Sequence, residues 1–194
     1  MKGRIIFLLE EPSMKELLDR LIPRLLPGLE KNVHFQCVPH QGKTDLNRSI
    51  PKKLMGWKEP DARFVVIEDN DNRACDSVKL ELQGLVAASG RSDTLVRLVC
   101  QELESWYIGD LKALAEAFGD LDLNTPGIRK RYAVPDEWQK PSTELERLIP
   151  AFQKGSGARL MGAALGQYEN LSHSFNVFVS GLSRIAQDMG YTHA

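Results

Sequence analysis

Apolar residues fall along this chain in two rhythms. Ile5 to Leu9 is an unbroken apolar run bounded by charge, as expected of a strand buried on both faces. Phe64 to Ile67 has the same character, Thr94 to Cys100 is again apolar and β-branched, and Val33 to Val38 alternates apolar with polar residues as a further strand. Between these runs the period changes to that of a helix. Leu17, Leu18, Leu21, Ile22 and Leu25 share one helical face, behind a capping-box pattern at Ser13 and Glu16, with Pro23 and Pro27 ending or kinking the segment. Val78, Leu82, Leu85 and Val86 predict a helix that stops near Gly90, and Leu111, Leu114, Ala115 and Phe118 one that Gly119 ends.

The segment 40–60 holds Gly42, Pro51, Gly56 and Pro60, and is expected to be loop with short helical turns. Past residue 120 no strand pattern recurs, and Gly127, Pro135 and Pro141 interrupt a polar region. Thr143 and Glu146 suggest a helix cap, and Phe175, Phe178, Val179, Leu182, Ile185, Ala186 and Met189 form a long apolar stripe. Strands alternating with amphipathic helices imply an α/β fold with a largely parallel sheet, because parallel neighbours need crossover connections. The expected organisation is a single domain: an α/β core over residues 1–120, with a helical C-terminal extension over 121–194 packed on it.

Composition narrows the function classes. Twenty-five basic residues against 26 acidic ones give a net charge of −1, so any nucleic-acid surface must be local. Cys37, Cys75 and Cys100 contain no CxxC pair and are too few for a disulfide framework, which fits a reducing cytoplasm. Ile5–Leu9 is too short for a signal-peptide core, and no stretch approaches the roughly 20 apolar residues that span a bilayer. A cytoplasmic location is therefore expected. No P-loop, GxSxG, GxGxxG or zinc-ligand spacing occurs.

The candidate chemistry is acidic. In a doubly wound sheet the functional crevice lies outside the carboxyl ends of the strands. Glu10 and Glu11 follow the first strand, Asp69 and Asp71 follow the third, and Glu104 lies just past the fourth. Two aspartates at i and i+2 on a strand end project to one side. Asp69 and Asp71, completed by Glu10, would hold one or two hard divalent cations, Mg²⁺ or Mn²⁺, and such ions activate water against phosphate. Asp-Asn-Asp-Asn is also good turn chemistry, and acids at strand ends also cap helices. It is Glu10, at the end of a second buried strand, that tips the pattern toward a metal centre.

These residues resemble the Toprim domain, the metal-binding fold of type IA topoisomerases, bacterial primases and OLD-type nucleases, which carries a glutamate after its first strand and Asp-x-Asp after a later one. Glu10 and Asp69-Asn70-Asp71 stand at those places. The chain is also similar to an uncharacterised bacterial Toprim-like family, found in restriction and phage-defence loci beside an ABC-type ATPase. That likeness runs through His40–Leu46, Ile50–Leu54, Phe64–Asp71, Glu102–Tyr107, Gln153–Ala158 and Ser174-Phe175. It implies a Toprim-like fold, a metal site and an ATPase partner. Toprim relatives commonly place glycine after the first-strand glutamate, where this chain has Glu11.

The resemblance implies a Mg²⁺-dependent nuclease or phosphotransfer enzyme with Glu10, Asp69, Asp71 and Glu104 as catalytic acids. The competing reading is a non-catalytic partner of an ATPase or of nucleic acid. Lys43, Lys52, Lys53, Arg129, Lys130 and Arg131 are the candidate nucleic-acid contacts, with Lys58, Lys154 and Arg159 on the same rim; the same charges read equally as solvated surface. His40 is a candidate proton-transfer group or an exposed loop histidine, and Trp106 is expected in the core.

Overall fold

A computed structural model describes residues 3–166 and 169–191. The elements run β1 (Ile5–Leu9), α1 (Pro12–Leu25), β2 (Phe35–Pro39), α2 (Lys43–Gly56), β3 (Arg63–Asp69), α3 (Cys75–Ala88) and β4 (Leu95–Val99). Among the described residues six α-helices follow, with short 3-10 turns at Leu121–Asn124 and Pro135–Glu137 between them: α4 (Glu104–Ile108), α5 (Leu111–Phe118), α6 (Pro126–Arg131), α7 (Pro141–Leu148), α8 (Lys154–Ala164) and α9 (His173–Asp188). The four strands form one parallel sheet in the order β2-β1-β3-β4.

All five β1 residues are fully buried, and their alternation divides the core. Ile5, Phe7 and Leu9 face one layer with α1, α4, α5, α8 and α9, where Trp106 stacks on Phe178 at 5.1 Å. Ile6 and Leu8 face the other, against Leu46, Ile50 and Leu54 of α2 and Val78, Leu82 and Val86 of α3. Burying each such side chain contributes roughly 1.5–3 kcal/mol.

That magnitude explains why the expected loop over 40–60 is instead a 14-residue helix. Pro51 inside α2 costs about 3 kcal/mol, but Leu46, Ile50 and Leu54 together gain more than that by lying one above another on the sheet. Pro23 is carried inside α1 for the same reason. The expected capping boxes are absent. Glu11 is the N-cap of α1, with Ser13 Oγ hydrogen-bonded to its carboxylate, and Lys140 rather than Thr143 caps α7.

The C-terminal helices bury the β1 face opposite α2 and α3. α8 lies along α1 so closely that a Cβ on Gly162 would sit 2.5 Å from the Leu17 carbonyl oxygen. α9 covers β4, and Trp106 Nε1 donates to Ser174 Oγ at 2.9 Å, fixing α4 to α9. Among the described residues no helix is long and apolar enough to cross a membrane.

Candidate metal centre

The strand order places the topological switch point between β1 and β3, where connections leave in opposite directions. Glu10 and Asp69 sit at the carboxyl ends of those two neighbours. The Glu10 N–H donates to Ile67 O at 3.2 Å, and the Asp69 N–H donates to Glu10 Oε2 at 2.9 Å. Two acids 59 residues apart in sequence are thereby held in contact.

Asp69 is the last residue of β3 and only 5% exposed. Its Oδ1 is buried with no hydrogen-bond donor. Burial, followed by the charges of Glu10, Glu11, Glu104 and Asp71, holds its carboxyl well above the ordinary carboxylate range. Burial also raises Glu10, against the stabilising Asp69 N–H and the charge of Lys43.

Glu104 opens α4 and is 1% exposed, with Oε2 meeting no donor; burial pushes its carboxyl up to about 7 although Lys154 lowers it. The Tyr107 hydroxyl, one helical turn on, is buried without a partner and faces Glu104, Glu11 and Asp69. Lys154, at the start of α8, reaches Glu11 Oε2 at 3.2 Å. Burial opposes its charge, but Glu104 and Glu11 outweigh that and keep the ammonium protonated.

Asp71 departs from the sequence expectation. It lies beyond the strand in left-handed backbone (φ 47°), so the i, i+2 alternation does not apply to it. Its side chain is 53% exposed and pairs with Lys43 Nζ at 2.7 Å. Asp69 and Asp71 thus stand in different environments. Among the described residues no three His, Cys, Asp or Glu side chains converge as a ready metal cage. The donor set nevertheless fits a hard cation: Asp69 Oδ1 and Glu104 Oε2 are buried oxygens that nothing in the protein satisfies, and Glu10 adjoins Asp69.

One acid escaped sequence reasoning. Glu68, on the opposite face of β3 from Asp69, is 1% exposed, and burial with the charge of Glu10 pushes it up to about 7. The signal was its place inside the strand rather than after it. His40 is 4% exposed rather than an open loop residue; its Nδ1 meets Leu9 O at 2.9 Å and its Nε2 is buried without a partner.

The basic candidates are dispersed. Lys43 belongs to the acidic edge, while Lys52 and Lys53 lie further along α2. On α6, Arg129 Nη1 donates to Asn124 O at 3.0 Å, and Arg131 pairs with Glu144 at 2.9 Å and lies over the Tyr132 and Trp138 rings. Lys130 is exposed beside them.

Residues 9–183 match the model of the family described as "Domain of unknown function (DUF4276)". No curated protein matches the chain in sequence. Among solved structures, the chain is similar to the C-terminal region of the Xanthomonas campestris pv. campestris OLD protein, with 15% identity, 97% of each chain covered and a TM-score of 0.51. It is also similar to the C-terminal region of the Burkholderia pseudomallei OLD protein, with 18% identity, 97% of this chain and 100% of that chain covered, and a TM-score of 0.46. The Xanthomonas likeness is one of fold, and it agrees with the expected parallel α/β sheet flanked by helices.

Proposed function

We propose that this chain, which belongs to the DUF4276 family, is a Mg²⁺- or Mn²⁺-dependent phosphodiester-cleaving or phosphotransfer domain acting on nucleic acid. The observation that supports this most is Asp69: a buried carboxylate with an unsatisfied oxygen, facing Glu10, Glu11, Glu104 and Asp71. Like charges brought together in a low-dielectric edge are costly, and a divalent cation relieves that cost. Glu10 and Asp69 would hold the ion, joined by Asp71 once it leaves Lys43.

When bound, such an ion polarises a phosphoryl oxygen and lowers the pKa of an attacking water. The remaining work falls to the chain. Glu104, with its carboxyl near 7, takes up or releases a proton at neutral pH. Lys43, released from Asp71, would meet a phosphate oxygen. Lys52, Lys53, Arg129, Lys130 and Arg131 would meet the backbone further out. An ABC-type ATPase partner and a role in phage defence belong to the same reading through the family resemblance.

A second reading, a non-catalytic partner of an ATPase, draws support from the two internal ion pairs. Lys43 on Asp71 and Lys154 on Glu11 already give the cluster protein cations. Calorimetry with Mg²⁺ and Mn²⁺ on the parent and on Asp69→Ala separates the two. Binding in the parent that disappears in the variant is expected. Equal binding in both removes Asp69 from the site, and no binding in the parent, with or without nucleic acid, leaves the non-catalytic reading.

A further inference from the structure

The loop between β3 and α3 that carries Asp71 is tied along its length to the loop that follows β4. Asn70 N–H donates to Val99 O at 3.1 Å, Asp71 N–H to Gln101 O at 3.1 Å and Asn72 N–H to Gln101 Oε1 at 2.8 Å, while Gln101 N–H returns a bond to Asn70 Oδ1. Asp71, Asn72 and Gln101 all hold left-handed backbone, so the two loops keep their shapes only while these bonds last.

Two cysteines stand at the roots of these loops. Cys75 is the first residue of α3 and Cys100 the first after β4. The pairing of Asp69 with Val99 sets Asn70 beside Cys100, and Asn70 Nδ2 donates to Cys75 Sγ at 3.3 Å. Both cysteines line one cavity of about 210 Å³ with His173, Ser174 and Val177, and Cys75 stands near enough to Cys100 to raise its thiol.

We infer that Cys75 and Cys100 form a reversible disulfide under peroxide, and that this bond staples the Asp71 loop to the loop after β4. Cys75 is exposed and reacts first. Its sulfur attacks the peroxide O–O bond, giving a sulfenic acid and water. The Cys100 thiol then attacks that sulfur; the S–S bond forms, the S–O bond breaks, and the leaving hydroxide takes the thiol proton as a second water. Overall two thiols lose two electrons to one hydrogen peroxide. Burial, with the charge of Asp136, pushes the Cys100 thiol up to about 12, so Cys100 stays protonated and does not compete with Cys75 for peroxide. Cys37 is buried beneath α1 and takes no part.

The inference does not depend on cation binding, and its test reads neither metal nor activity. The reduced full chain is exposed to a few equivalents of hydrogen peroxide, alkylated and mapped without reductant, and amide exchange is followed in parallel. The expected product is lighter by two hydrogens and contains one Cys75–Cys100 linked peptide that dithiothreitol removes. Exchange at Asp71, Asn72 and Gln101 slows, and the melting temperature rises by roughly 5–10 °C for a crosslink closing this length of chain. In Cys100→Ser, dimedone traps the Cys75 sulfenic acid instead. Over-oxidation of Cys75 without a linked peptide in the parent, or a link only between two chains, overturns the pair. A linked peptide with unchanged exchange at these amides overturns the staple.

Discussion

Glu104→Gln isolates the electrostatic cost of the acidic edge. The Glu104 carboxyl is 1% exposed and titrates near 7, against an ordinary 4.5. Its folded pKa therefore lies above its unfolded one, so the native state binds the extra proton and stability falls as pH rises from about 4.5 through 7. At about 1.36 kcal/mol per pH unit, the full penalty above pH 7 is roughly 3 kcal/mol, net of the attraction from Lys154. About 2 kcal/mol of it develops between roughly pH 5.5 and 8. Glutamine keeps the shape and never ionises. Urea unfolding in EDTA at both pH values should show the parent losing about 2 kcal/mol more than the variant across this interval, with the variant the more stable at the alkaline end. Parallel pH profiles, or a variant less stable at pH 8, would mean that Glu104 is ionised at no cost and that the edge is not strained by charge.

Three further outcomes follow from the same geometry. Asp69→Asn removes a buried charge that Glu10, Glu11, Glu104 and Asp71 all crowd, so in EDTA at pH 8 it should melt above the parent while titrating no Mg²⁺ or Mn²⁺ in calorimetry. Gly162→Ala pushes a methyl group to 2.5 Å from the Leu17 carbonyl and 3.0 Å from Arg20 Cβ, and should cost about 1–3 kcal/mol in denaturant unfolding with no change in cation affinity. Trp106→Phe removes the indole bond to Ser174 Oγ, which keeps the Cys100 N–H, and shrinks the ring stacked on Phe178; a loss of roughly 1–3 kcal/mol is expected, read by the same unfolding.

What the sequence disclosed tracks what is local. β1 and β3 were legible within one or two residues because buried parallel strands need continuous apolar runs, β4 because its β-branched apolar residues outweigh Arg97, and Trp106 is in the core as expected. α2 was not legible. Its proline and glycines are local signals for loop, while the burial that overrides them depends on a sheet whose existence no window of 20 residues reveals. The capping boxes failed for a related reason: a Ser-x-x-Glu spacing fits a cap only if the chain enters the helix there, and Glu11 enters two residues earlier.

The site divides along the same line. Glu10 meeting Asp69 followed from topology, since strand ends beside a switch point are neighbours whatever their sequence distance. Asp71 did not follow, because its direction is set by one left-handed backbone angle that Gln101 holds from outside the Asp-x-Asp spacing. The spacing therefore marks where a carboxylate can be delivered, and the loop decides whether it is. With Asp71 turned to Lys43 and Glu11 turned to Lys154, both acids flanking the buried pair are held by lysines from other helices. The buried pair, Asp69 with its unmet Oδ1 beside Glu10, has no lysine of its own in direct contact among the described residues. An ion entering there displaces no existing salt bridge, whereas one drawing in Asp71 must first break the Lys43 pair. Cation affinity should accordingly respond far more to Asp69 than to Asp71.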